Sequence, residues 1–380
     1  RDSFSGHYFG EEMLVDHVRS YGNMLSVQRQ SDYPGMDILA CWPEGYFPQD
    51  AKYVQMAARK CGSNGFMAEV CPFDNPEEFG KAPFDNLLAT MGLNYISGVR
   101  TTQSYAEADF SAFGDGRFRD FLPRNQDMFG QVRKYFDRAQ MRQLNAYVGR
   151  MGLLLDGLQN QCTTVLYFGI EDVQAKYTPK HDCEVGAQAI GCDLATLRLL
   201  RAMLDEGRDF LFADAEDLTE IARTGRLGGE EIRRILLPGL DVIRPEALAA
   251  LRQLKKAGVC VLFAEKLPHI DALSGQQLQL AGEFEAVSVQ EAVQIPDAQE
   301  PQFKTLSGPI VRQARYRTKD SKSMFFLLNP GRTESVVRLP GADARRCTAL
   351  DPFTGTITQE RLNRDWTVPA VRGIFIIIEE

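Results

Sequence analysis

Along the first hundred residues the apolar positions keep changing period. From Glu11 to Tyr21 the acids come first, and Leu14, Val15, Val18 and Tyr21 follow at helical spacing ahead of Gly22 as a stop, which predicts a helix. Pro34-Gly35 reads as a turn into Met36 to Trp42, a short apolar run bounded by turn residues and so a strand. Ala51 to Cys61 is a second amphipathic helix closed by Gly62. Gly65 to Cys71 is a strand, Phe84 to Met91 a third helix, and Leu93 to Arg100 a third strand. Strands alternating with helices over short links predict parallel strands with crossover helices, in a doubly wound sheet or a (β/α)8 barrel.

No GxGxxG or GxxxxGK[ST] loop follows any of these strands, which removes the usual nucleotide-binding signature. Polar and aromatic residues crowd the strand ends instead: His7, Trp42, Glu69, Arg100, then Gln103 and Tyr105. Barrel enzymes build their sites at the carboxyl ends of strands, so the pattern suits a barrel seen in its later half. Ser3 to Phe9 already reads as a strand running into its loop, and Arg1 is not an initiator Met, so residues upstream are expected.

Phe110 to Pro123 has no period and reads as a loop. An apolar face then persists from about Gln126 to about Gln159, predicting a long helix. Thr163 to Phe168 opens a second α/β unit, flavodoxin-like in pattern. It continues through a helix over Leu194 to Leu204, strands at Asp209 to Ala213 and Arg234 to Leu237, a helix from Pro245 to Ala257, and a strand from Val259 to Phe263. From Ile310 the period becomes two, at Ile310 to Tyr316, Met324 to Leu328, Ser335 to Leu339 and Gly373 to Ile378. This predicts a small antiparallel β-sandwich. The expected division is 1–125, a partial barrel; 126–290, the α/β unit with its leading helix; and 291–380, the sandwich.

Composition narrows the partners. The chain has 380 residues, 44% hydrophobic and 25% charged, as in folded globular proteins, and its net charge of −8 comes with no long basic run. Nucleic acid and anionic membranes are therefore not expected partners, and no stretch approaches the apolar length needed to span a bilayer. The eight cysteines are scattered without paired spacing, which reads as free thiols in a reducing, cytoplasmic setting. Four histidines with no HExxH motif argue against a dedicated zinc site.

Several short motifs resemble one family. Gly6-His7 ahead of the Glu11-Glu12 helix, then Asp32-Tyr33-Pro34-Gly35-Met36-Asp37, Ala68-Glu69-Val70 and Gly92-Leu93-Asn94-Tyr95 resemble the later half of the catalytic barrel of large glycoside hydrolases of the α-L-rhamnosidase-like branch. Thr163 to Tyr167 and Leu236-Leu237-Pro238-Gly239 resemble that family's amidotransferase-like domain, which is similar to the trimerisation domain of some β-galactosidases. Phe326 to Pro330 and Asp351 to Gly355 resemble its closing sandwich.

The resemblance implies hydrolysis of glycosides or oligosaccharides, such as α-L-rhamnosides. That chemistry needs two carboxyl groups, one protonating the leaving oxygen and the other attacking or activating water. Glu69, at the end of an apolar strand, is the first candidate, as nucleophile or base; the plainer reading is a strand-end glutamate paired with an arginine. Glu12 is the best acid partner within the chain, although acids in a first helical turn are also favoured by the helix dipole alone. His7 could orient a carboxylate or bind a hydroxyl, Trp42, Phe73 and Tyr105 could stack on sugar faces, and Arg100 could hold Glu69 ionised. Asp32 and Asp37 read as residues that shape the turn around Pro34-Gly35. The second unit lacks a Cys nucleophile after Phe168-Gly169-Ile170-Glu171, and His181 and Cys183 fall in a loop. It is expected to carry no chemistry and to support the barrel or a homo-oligomer contact. No cofactor is required, and calcium stays open. A non-catalytic carbohydrate-binding or assembly protein on the same scaffold is the competing reading.

Overall fold

The computed structural model describes residues 5–7, 13–38, 41–46, 48–70, 80–104, 137–178, 187–294 and 301–379. Its first unit is a sheet of four parallel strands in sequence order: β1 (Ser5–Gly6), β2 (Tyr33–Ile38), β3 (Phe66–Val70) and β4 (Val99–Ser104). Helices α1 (Leu14–Tyr21), α2 (Met24–Gln28), α3 (Pro48–Cys61) and α4 (Pro83–Ser97) connect them. An all-parallel sheet in sequential order with helical crossovers is the arrangement of successive barrel strands.

Its two faces differ. Met36, Ile38, Phe66, Ala68, Val70 and Val99 are buried in one apolar cluster with Val54, Ala58, Leu88 and Leu93 of the helices. Asp37, Met67 and Glu69 fall between them in the strand alternation and stay partly exposed on the opposite, polar face.

Two sequence expectations are corrected here. Pro34-Gly35 forms no turn; it lies inside β2, with Pro34 beside Gly6 and Gly35 beside Met67. Gly35 is needed for close approach, since a Cβ there would stand 2.8 Å from Met67 Cγ and 2.9 Å from the Gly6 carbonyl oxygen. The strand expected over Leu93 to Arg100 is also displaced. Leu93 to Ser97 continue α4, which is buried all round from Asn86 to Ser97, so its apolar run has no helical stripe to betray it. Gly98, at φ 110° in the left-handed region, ends the helix, and the strand begins at Val99.

The helix expected to lead the second unit is described over Arg138–Leu155 (α5), where Asp137 and Gln140 form a capping box. Its Leu144, Tyr147, Met151 and Leu155 pack with the first unit's helices and with Phe326 and Leu328 of the C-terminal strands.

The second sheet has five parallel strands. From one edge they run Leu211–Ala213, Thr164–Tyr167, Arg234–Leu237, Cys260–Ala264 and Ala286–Val287, a 2-1-3-4-5 order in chain sequence, as in flavodoxin-like doubly wound sheets. Leu14, Val15, Tyr53 and Met56 of α1 and α3 share its core. The salt bridges Arg59 to Asp217 (3.2 Å) and Lys60 to Asp214 (2.6 Å) tie α3 to it, along with Lys52 to Asp209.

The C-terminal residues form a three-stranded antiparallel sheet and a six-stranded one. Phe325, Leu327 and Ile376 of the larger sheet and Val337, Trp366 and Val368 of the smaller meet in one apolar cluster. The larger sheet takes its edge strand, Asn160–Gln161, from the segment just before the second unit.

Candidate active site

The polar face of the first sheet is organised by register. Asp37, Glu69 and Gln103 lie side by side on β2, β3 and β4 near the carboxyl ends of the strands. Side chains in register on neighbouring parallel strands project to the same side, so these three share one surface. Below this row, the Tyr33 hydroxyl lies 3.2 Å from the Thr101 hydroxyl. His7, directly after β1, closes the surface: its Nε2 stands 2.9 Å from a carboxylate oxygen of Glu69. Both side chains keep solvent access, 25% for His7 and 17% for Glu69, so the pair is reachable from outside.

A largely buried but accessible carboxylate fixed by an imidazole N–H is oriented without being sealed. One carboxylate oxygen is engaged, and the rest of the group can attack an electrophilic carbon or accept a proton from water.

The sequence expectations meet this geometry unevenly. Glu69 and His7 come together. Trp42 sits on the loop after β2, half-buried, with its indole lying over Gly45, where a Cβ would stand 2.3 to 2.5 Å from the ring. Arg100 does not join the pair. Because β4 starts only at Val99, Arg100 lies at the amino end of that strand and donates to the carbonyls of Val99 (2.8 Å), Tyr95 (3.3 Å) and Leu158 (3.0 Å), with its guanidinium over the Tyr316 ring. It clamps α4 to the chain that follows α5. Glu12, Glu11, Phe73, Tyr105, His181 and Cys183 lie outside the described residues.

Asp37 was missed as a neighbour of Glu69. The signal was present: Tyr33, Gly35 and Asp37 alternate with Pro34, Met36 and Ile38, and a period of two through the Pro-Gly pair would have placed Asp37 on the polar face. Among the described residues no group of three or more His, Cys, Asp or Glu side chains converges as a metal site would. Cys61, Cys260 and Cys347 are free thiols. No described helix is long and apolar enough to cross a membrane.

Comparison with family models finds none that matches, and no curated protein matches in sequence. Solved structures do match. A β-galactosidase from Bacillus circulans sp. alkalophilus aligns over 93% of this chain and 61% of its own, with a TM-score of 0.59 at 11% identity. The GH42 β-galactosidase Gan42B aligns over 94% and 61%, with a TM-score of 0.57 at 10% identity. The fold is shared with glycoside hydrolases. An α-L-fucosidase, isoenzyme 2 from Paenibacillus thiaminolyticus, aligns over 93% and 66%, with a TM-score of 0.55 at 12% identity. Gan42B is also represented by a catalytic mutant with a glutamate replaced by alanine. The chain spans about three fifths of the length of the first of these neighbours. At such identities the likeness carries the barrel-type α/β fold and not a substrate, and it does not single out the rhamnosidase-like branch.

Proposed function

We propose that the chain carries part of the active site of a glycoside hydrolase, with Glu69 as the carboxylate that attacks the anomeric carbon or activates water. The observation that carries this reading is the 2.9 Å contact between His7 and Glu69 on the polar face, at the carboxyl ends of four parallel strands. Barrel enzymes use that end of the sheet for chemistry. The neighbours' names, and the glutamate changed in one catalytic mutant, add weight to a glutamate-based glycosidase.

In this reading His7 is a positioning residue, since its N–H fixes one carboxylate oxygen and leaves the other for the reacting centre. Asp37 and Gln103, flanking Glu69 in register, offer an acceptor and a mixed donor-acceptor for sugar hydroxyls. The partner acid is proposed to be Glu12 or a carboxyl outside this chain, and its distance from Glu69 would set retention or inversion. The substrate is a glycoside or oligosaccharide, with α-L-rhamnosides of plant or bacterial polysaccharides proposed alongside galactosides and fucosides.

The test is turnover of a panel of aryl α-L-rhamnosides, β-galactosides and α-L-fucosides by the intact protein and its E69Q variant. Glu69→Gln keeps shape and hydrogen bonding but removes the charge, so at least one substrate should be hydrolysed by the wild type and slowed about a thousandfold or more by the change. Near-equal rates would reject Glu69. Oligosaccharide binding without turnover of any substrate would favour the non-catalytic alternative.

A further inference from the structure

A second feature lies away from the His7–Glu69 face. Thr163 and Arg233 stand just ahead of two central strands of the second sheet, so the cavity they help line opens off the amino ends of those strands. It holds about 390 Å³ and is walled by four arginines, Arg226, Arg233, Arg315 and Arg317, with Glu230 and Glu231 as its only acids. The arginines come from three separate places: the Arg226–Glu231 hairpin, the residue before Arg234–Leu237, and the strand Arg312–Arg317.

The two acids neutralise this cluster only in part. Glu231 pairs with Arg233 at 3.3 Å, Glu230 accepts from the Gln161 amide at 3.2 Å, and Arg226 donates to the Gly229 carbonyl at 2.7 Å. Among the described residues Arg315 and Arg317 have no carboxylate partner. The Arg315 Nε is buried with no hydrogen-bond acceptor.

Guanidinium groups brought to one cavity repel each other. In a chain of net charge −8, that local excess of cations is an exception. Planar guanidinium forks match the oxygens of a tetrahedral anion, and an anion in the cavity would relieve the repulsion.

We propose that this cavity binds an oxyanion, a phosphate or sulfate group that is either free or carried as an ester on a saccharide. The site is independent of Glu69 and stands or falls apart from the glycosidase reading.

Calorimetric titration of the intact protein at low ionic strength tests it, with inorganic phosphate and sulfate as probes and chloride as the control. Saturable binding of either probe is expected, weakened about tenfold or more by the double variant R315Q/R317Q and weakened by added salt. Absence of saturable binding to the folded protein, or unchanged affinity in the folded double variant, would overturn the site. If the double variant does not fold, R317Q alone serves, because that side chain is exposed; about a threefold loss is expected and no loss counts against the proposal. A parallel titration with glucose 6-phosphate and glucose 6-sulfate separates the sources. Tighter binding than the inorganic ion assigns the cavity to a carried ester, and equal or weaker binding to the free anion.

Discussion

The two parallel sheets of this chain are built from similar residues and end in different uses. In the second sheet, Thr164–Tyr167 and Arg234–Leu237 are buried at every position, and Cys260–Ala264 at all but the first. Covered on both faces, these strands read as continuous apolar runs. In the first sheet, β3 alternates between buried Phe66, Ala68, Val70 and half-buried Met67, Glu69. Parallel strands are normally covered on both sides. Alternation in one therefore marks a face kept for something polar, and here that face carries the His7–Glu69 pair. The acids differ in the same way. Glu69 stays reachable, whereas Glu171, just past the end of Thr164–Tyr167, is buried and takes a hydrogen bond of 2.5 Å from the Tyr167 hydroxyl. Burial pushes its carboxyl up to about 7.

Truncation should separate the sheets most strongly. Leu236→Ala empties a site with no solvent exposure in the second core and is expected to lower stability by about 2–5 kcal/mol in denaturant titration. Met67→Ala, on the polar face, should cost about 1 kcal/mol or less. Equal losses would erase the distinction between the faces. Gly35→Ala attacks the close approach of β1 and β2, and its added methyl should cost about 1–3 kcal/mol and displace His7. Glycosidase activity should then fall together with the stability.

His7→Ala is expected to lower kcat about 10- to 100-fold with little change in KM, and His7→Gln, which restores an N–H donor, should recover part of that loss. A purely structural histidine would leave kcat unmoved in the folded variant. A further difference between the acids concerns pH. The Glu171 carboxyl ionises near 4.5 when unfolded and near 7 when folded, so between these values the unfolded chain releases a proton that the folded chain retains. Stability therefore declines as pH rises from about 4.5 to about 7, by of order 1–3 kcal/mol, and is flat above that window with respect to this group. Glu171→Gln should flatten the decline, as read from denaturation midpoints at pH 5 and 7.5.

Much of this architecture was legible from periodicity. Helix α3, strand β3 and the strands at Arg234–Leu237 and Gly373–Ile378 lie where the apolar pattern puts them: β3 by its alternation, the two other strands as short apolar runs, and α3 as an amphipathic segment closed by Gly62. Failures came where local chemistry was overruled by packing. Pro34-Gly35 has the composition of a turn, yet the crowding of Met67 and the Gly6 carbonyl makes glycine the residue a strand requires there. Helix α4 hides its period by being buried all round, and that one misplacement carried Arg100 to the wrong end of β4. For the candidate site, Glu69 and His7 were singled out by their place at strand ends, and the fold brings the two side chains to 2.9 Å of each other. Asp37 was lost with the turn assignment, since an alternation interrupted by a supposed turn cannot report which residues share a face.

The central claim is that the Glu69 carboxylate performs the chemistry, and replacing it by alanine in the intact protein tests this most directly. Hydrolysis of the best aryl glycoside should fall about a thousandfold or more in E69A, and added azide, a small nucleophile able to occupy the vacated space, should restore part of the rate and yield a glycosyl azide. Wild-type turnover by folded E69A, with no response to azide, would contradict it.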